Sequence, residues 1–159
     1  MEYLFFWGEK KTGGFLSNFY PSTFTINTDT FNCSEQYFMK KKQELFDPKN
    51  NVLGTQIMNE TNPKDIKKYG RQVKNFTEDK WNMHKYKFMY DGVYAKFSQN
   101  PQLKVKLLET GDKILVEASP FDRIWGIGFS ETNAIVNKSK WGENLLGKIL
   151  MEIREKLKK

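Results

Sequence analysis

The sequence predicts an α+β fold, mostly helical, with a small antiparallel β element near the N-terminus. Three observations carry this prediction. The C-terminal stretch places Leu145, Leu146, Ile149, Leu150, Ile153 and Leu157 on one stripe at helical spacing. Helix-start signals recur at Ser34-Glu35, Asn62-Pro63, Thr77-Glu78 and Asn100-Pro101. Two short β-prone runs flank Asn27-Thr28-Asp29, whose residue types favour a tight turn.

In chain order, Tyr3 to Trp7 is an aromatic run of strand-like composition closed by Gly8. Thr23 to Ile26 and Thr30 to Cys33 are the arms of the expected hairpin. Ser34 is the expected N-cap of a helix that stops at about Leu45, before Asp47-Pro48. A short helix covers Asn51 to Met58, and another runs from Pro63 to about Tyr69-Gly70. The longest helix extends from Thr77 to Phe97, and the next from Pro101 to Thr110-Gly111. Ile114 to Ala118 reads as a strand, and the final helix spans Asn144 to Lys158.

With 159 residues and no linker, repeat or low-complexity tract, residues 1–159 are expected to form a single domain. Hydrophobic residues at 38% and charged residues at 28% fit a folded globular chain rather than a disordered one. Thirteen Phe, seven Tyr and four Trp must largely fill a core, which leaves a few rings able to stack on a flat ligand. The net charge of +7 draws phosphates, whether of a nucleotide or a nucleic acid, although Lys-rich runs such as Lys40-Lys41-Lys42 also suit a plain solvated face.

A single cysteine, Cys33, excludes an internal disulfide and a Cys-based zinc site. The single histidine, His84, sits in a helical stretch with no motif around it and is expected to be an ordinary, partly exposed side chain. No cofactor or metal is expected. No apolar run approaches the ~20 residues that cross a bilayer, and no signal peptide is evident, so the cytoplasm is the expected location and no membrane or obligate protein partner is expected.

Three stretches stand apart from routine packing. In Gly13-Gly14-Phe15-Leu16-Ser17-Asn18-Phe19-Tyr20-Pro21, glycines permit close backbone approach while Ser17 and Asn18 offer hydrogen bonds among aromatic rings. That composition suits a ligand pocket or a turn that holds an aromatic corner. On the helix from Ser34, Glu35 and Lys42 stand seven residues apart and so share one face, with Phe38 and Met39 between them. Burial there would raise a carboxyl pKa and lower an amine pKa, as an acid and a nucleophile require; the other reading is a surface pair at the rim of the apolar stripe. The third stretch, Glu117 to Gly128, closes a strand with a loop carrying Asp122, Trp125, Gly126 and Gly128. Its Gly-x-Gly lacks the third glycine and the helix start of a dinucleotide fingerprint, which excludes a Rossmann reading.

Taken together these residues resemble the NADAR (YbiA-like) family of N-glycosidases. The resemblance runs through Phe5-Phe6, Ser17-Asn18-Phe19-Tyr20, Ser34-Glu35-Gln36-Tyr37-Phe38 with Lys42, Gly70-Arg71, Trp81 with Lys85 and Met89, and Ala95-Lys96-Phe97. It continues through Leu108-Glu109-Thr110, Val116-Glu117, Asp122 with Trp125-Gly126 and Gly128, and Trp141-Gly142 with Asn144, Leu146-Gly147-Lys148 and Leu150-Met151. The family resemblance implies a YbiA-like fold and hydrolysis of a bond between ribose and a nitrogen base.

It also implies residue roles. Glu35 is the expected essential acid, with Lys42 and Asp122 as the other catalytic candidates. Asn18 and neighbouring aromatics are expected to hold the ribosylated substrate, and the wider substrate-binding set is Phe6, Ser17, Phe19, Tyr37, Trp81, Lys85, Lys96, Trp125, Gly126, Gly128 and Asn144. Gln36 replaces a His found in many relatives, and Glu143 a more usual Gln. Two chemical routes stay open: Glu35 activates water while Asp122 stabilises charge, or Lys42, with Lys96 in reserve, attacks the anomeric carbon and passes through an imine. The expected substrate is ADP-ribosylated guanine in DNA or RNA. The alternatives are a ribosylamino-pyrimidine phosphate of riboflavin biosynthesis and, in another class, a module that binds ADP-ribose or a related nucleotide without turnover.

Overall fold

Local signals set most of the element boundaries, and the computed structural model describes all of residues 1–159. The strands are β1 (Tyr3–Phe6), β2 (Phe24–Ile26), β3 (Asp29–Phe31) and β4 (Ile114–Glu117). The helices are α1 (Ser34–Phe46), α2 (Asn51–Asn59), α3 (Pro63–Arg71), α4 (Glu78–Gln99), α5 (Pro101–Glu109), α6 (Glu131–Ala134) and α7 (Leu145–Leu157). Single 3₁₀ segments cover Gly14–Leu16 and Ile135–Lys140. The mostly helical α+β prediction therefore holds. None of the helices is long and apolar enough to cross a membrane. By Cα proximity the chain divides into two compact units, one of residues 21–100 and one of residues 1–20 with 101–159.

In the 21–100 unit, β2 and β3 form the antiparallel hairpin, in the register Phe24–Phe31, Thr25–Thr30 and Ile26–Asp29. The turn is tighter than the sequence suggested: Asp29 belongs to β3, and Asn27 takes the left-handed conformation (φ 58°) that Asn tolerates better than most residues. Phe24 and Phe31 stack at 5.6 Å, and Tyr37 of α1 meets Phe31 edge-on at 5.1 Å. The N-cap of α1 is Cys33, extended and buried, rather than Ser34, which already lies inside the helix. Asn62 does cap α3 as expected, its side-chain oxygen accepting from the Lys64 amide at 3.0 Å, and Pro63 opens the helix.

Gln36 joins three segments of this unit. Its Nε2 donates to the Ile57 carbonyl at 2.9 Å, with the Met58 and Glu60 carbonyls at 3.1 and 3.3 Å. Its Oε1 accepts from the Asn32 amide at 2.7 Å. One buried carboxamide thus satisfies the C-terminal carbonyls of α2 and an amide just ahead of α1.

In the other unit, β1 and β4 pair in parallel, Tyr3 with Ile114 through Phe6 with Glu117. This pairing had no signal in the sequence, because its two strands lie far apart along the chain and neither announces a partner. Helix α7 packs on β4 and buries Leu146, Ile149, Leu150, Ile153 and Leu157; full burial of such a side chain is worth about 2 kcal/mol. Asn144 stands at the start of α7 in a left-handed conformation (φ 51°). Its Oδ1 accepts from the Glu117 amide and its Nδ2 donates to the Leu115 carbonyl, both at 3.0 Å.

Replacing Gln36 with Met keeps the volume and removes the polar bonds. It is expected to cost about 1–3 kcal/mol, which calorimetry would read as a melting point lower by roughly 2–4 °C per kcal/mol.

Candidate active site

Glu35 falls in the first turn of α1, and Lys42 follows two turns later on the same face. Tyr37, Phe38 and Met39 of the same helix are buried, and Glu35 is itself only 7% exposed. Lys42 is half-buried, with its Nζ 4.9 Å from the centroid of the Phe76 ring. Burial is the main influence on its amine and holds the pKa below the usual lysine value; the Glu35 carboxylate opposes that shift and the Arg71 guanidinium adds to it. Glu35 is thus buried and Lys42 half-buried, so the pair is not a plain surface pair, and the two groups lie within electrostatic reach of each other. A depressed amine pKa enlarges the neutral, nucleophilic fraction near pH 7.

An aromatic cluster flanks this face. Trp81 of α4 lies 4.9 Å from Phe38, 6.1 Å from Phe46 and 6.3 Å from Phe76 between ring centroids. Lys85, one turn further along α4, is half-buried. Tyr37 turns instead into the hairpin core, where burial, together with the charges of Asp91 and Glu44, pushes its phenol up to about 12. The His84 ring stacks on Phe88 at 5.6 Å and is half-buried, as an ordinary side chain of α4.

Lys96 is the other amine. It is 1% exposed, and burial draws its pKa down to about 7, with Cys33 acting in the opposite direction. Burial likewise raises the Cys33 thiol to about 11. Of the two lysines, Lys42 is the one with surface open to a substrate. Arg71 and Phe76 were not among the residues singled out from the sequence. Gly70-Arg71 was visible as part of the family pattern, whereas Phe76 lies in the connection after α3 and carries no local signal.

The remaining candidates belong to the unit of residues 1–20 and 101–159. Phe6 ends β1 and is buried, as are Ser17 and Asn18, while Phe19 is half-buried. The Ser17 hydroxyl accepts from the Phe19 amide at 3.1 Å and so shapes its own turn. After β4, Asp122 Oδ1 accepts from the Ile124 and Trp125 amides at 2.8 and 2.9 Å, which folds the loop back on itself. Gly126 passes against the Glu117 carbonyl, where an added Cβ would come within 2.7 Å of the oxygen. Gly128 needs φ 81°. The loop is then fastened to α7: the amides of Asn144, Leu145 and Leu146 donate to the carbonyls of Gly126, Ile124 and Trp125 at 3.0–3.1 Å. Asn144 has both side-chain amide atoms engaged by the β4 backbone, so it positions this loop in the structure.

The buried amine makes stability depend on pH with a definite sign. Lys96 has a lower pKa folded than unfolded, so the unfolded chain binds more protons between about pH 7 and 10.5. Stability is therefore expected to rise from pH 7 to 9, above which ionisation of Cys33 in the unfolded chain opposes the trend. Urea melts over that range should show the rise in wild type and a flatter profile in Lys96→Met.

Comparison with known proteins bears on what this arrangement does. The NADAR domain model matches residues 5–158, across both units. An N-glycosidase of Acanthamoeba polyphaga mimivirus is 42% identical over 164 residues, covering 97% of this chain and 95% of that protein. A riboflavin biosynthesis protein of Vibrio vulnificus is 30% identical over 154 residues, covering 97% of this chain and 38% of that protein. The NMR structure of the E. coli protein YbiA superposes with a TM-score of 0.80 at 28% identity, covering 99% of this chain and 85% of that one. The similarity is spread along nearly the whole sequence and is accompanied by the same fold, and on that ground the chain belongs to the NADAR domain family.

Proposed function

We propose that this chain, an N-glycosidase of its family, hydrolyses the bond between ADP-ribose and guanine in nucleic acid, with Glu35 and Lys42 as its chemical pair. One observation carries the reading: a half-buried amine of lowered pKa shares a helix face with a buried carboxyl group that lies within its electrostatic reach. The net charge of +7 favours a substrate that bears phosphates.

The neutral Lys42 amine attacks the ribose anomeric carbon as the bond to the base nitrogen breaks. Glu35, as the carboxylic acid, gives the departing base its proton, and as the carboxylate it then takes up the proton that the bonded Lys42 nitrogen sheds, which restores the acid. The ribosyl-amine opens to an imine, water adds to the imine carbon, and the C–N bond to Lys42 breaks to release ADP-ribose and regenerate the amine. A direct attack by water, activated by Glu35, is the competing route.

Incubation of the protein with DNA ADP-ribosylated on guanine should release ADP-ribose and restore guanine, as followed by chromatography. Glu35→Gln should lower kcat by about 10²–10⁴-fold; absence of release in wild type would sink the ADP-ribose reading. The match to a riboflavin biosynthesis protein makes ribosylamino-pyrimidine phosphates the next substrates to assay, and inactivity on both classes would favour a binding module.

The imine route has its own test. Borohydride added during turnover should leave a reduced ribosyl adduct on Lys42, located by peptide mass spectrometry and absent from Lys42→Met. Full turnover without any adduct would select direct attack by water.

A further inference from the structure

Beyond the last residues of β1 and β4 lies an open cleft of about 630 Å³, and its wall is chemically mixed. Trp7 follows β1 directly and is 40% exposed, which leaves much of a large ring open to solvent. Lys11, Thr12, Ser130, Glu131 and Thr132 line the same cleft. The amine of Lys11 stands 5.6 Å from the Trp7 ring centroid. Phe121, 85% exposed, lies 5.9 Å from Trp7 with the rings tilted by 59°. None of these residues takes part in the chemistry assigned to Glu35 and Lys42.

The cleft is large enough for a nucleotide, which falls within the ordinary range of about 300–1,000 Å³ for ligand sites. It offers three kinds of contact. The indole face of Trp7, with Phe121 beside it, can take a flat base by stacking. The Lys11 amine, which stands over the Trp7 ring, is a cation suited to a phosphate, and the hydroxyls of Thr12, Ser130 and Thr132 are hydrogen-bond donors to phosphate oxygens. The Glu131 carboxylate can accept hydrogen bonds from a ribose diol, as acidic residues do in dinucleotide sites. Aromatic ring, cation, hydroxyls and one carboxylate are together the complement of a nucleoside phosphate. They are poorly matched to an apolar ligand or to an anion alone, since the first leaves Lys11 and Glu131 idle and the second is repelled by Glu131.

We propose that this cleft is a binding site for a purine nucleoside diphosphate, with Trp7 stacking the base, Glu131 holding the ribose and Lys11 the phosphates. The choice of a purine and of a diphosphate rests on the function proposed above, whereas the assignment of the cleft to a nucleotide rests on its lining.

The test measures equilibrium binding of ADP to the full chain, by calorimetry, with no turnover required. Wild type and Glu35→Gln should bind alike, which separates this site from the hydrolytic pair and makes the result independent of the substrate assays. Trp7→Ala should weaken ADP binding by about tenfold or more, Trp7→Phe should retain most of it, and Lys11→Ala should weaken it and flatten its salt dependence. Thermal melts establish that each variant is folded; if Trp7→Ala is not, Lys11→Ala and Glu131→Gln, both at exposed positions, carry the test. No ADP binding by wild type, or equal binding by wild type and the folded cleft variants, would overturn the proposal even if ADP-ribose hydrolysis is observed.

Discussion

The carboxamide of Gln36 is the constraint on which the 21–100 unit depends. Buried polar atoms must find partners, and this one group accepts from the Asn32 amide and donates to carbonyls at the end of α2. It thereby fixes the first turn of α1, and with it the direction in which the neighbouring Glu35 points. Lys42 inherits its position from the same helix two turns on, so the spacing of the pair is a property of helical geometry and needs no loop to maintain it. The polar start of α1 is expensive to bury and is tolerated because the Gln36 carboxamide has partners for both its oxygen and its nitrogen.

The two lysines of this unit show how environment separates side chains of the same chemistry. Both are pulled below the usual lysine pKa by burial, yet Lys96 is sealed within the fold while Lys42 keeps part of its surface open. A nucleophile needs both a neutral population and a path to its substrate. Lys96 has only the first, which suits it to shaping the interior near Cys33, whereas Lys42 meets both conditions.

Helices were legible in the sequence because their signals are local. Asn62-Pro63 announces α3, and the apolar stripe of α7 can be counted off within one segment. The Glu35–Lys42 face was legible for the same reason. The parallel pairing of β1 with β4 was not, since strands more than a hundred residues apart choose partners through tertiary packing, which no window of sequence contains. The capping role of Cys33 was also hidden: Ser34 has the better capping chemistry, but the chain reaches the helix with Cys33 extended and buried. The family resemblance put Asn144 among the substrate-binding residues; in the structure its side-chain amide bonds the β4 backbone. The Asp122 carboxyl likewise closes its own turn, a use that composition alone does not distinguish from binding.

The first backbone amides of a helix normally face water and exchange their hydrogens early. In α7 the amides of Asn144, Leu145 and Leu146 are instead covered by carbonyls of the loop that carries Asp122 and Trp125. Loop and helix end therefore open together or not at all. Deuterium uptake at these three amides becomes a local clock for the loop, one that ticks only when the backbone around Trp125 lifts away and stays silent through side-chain motion alone.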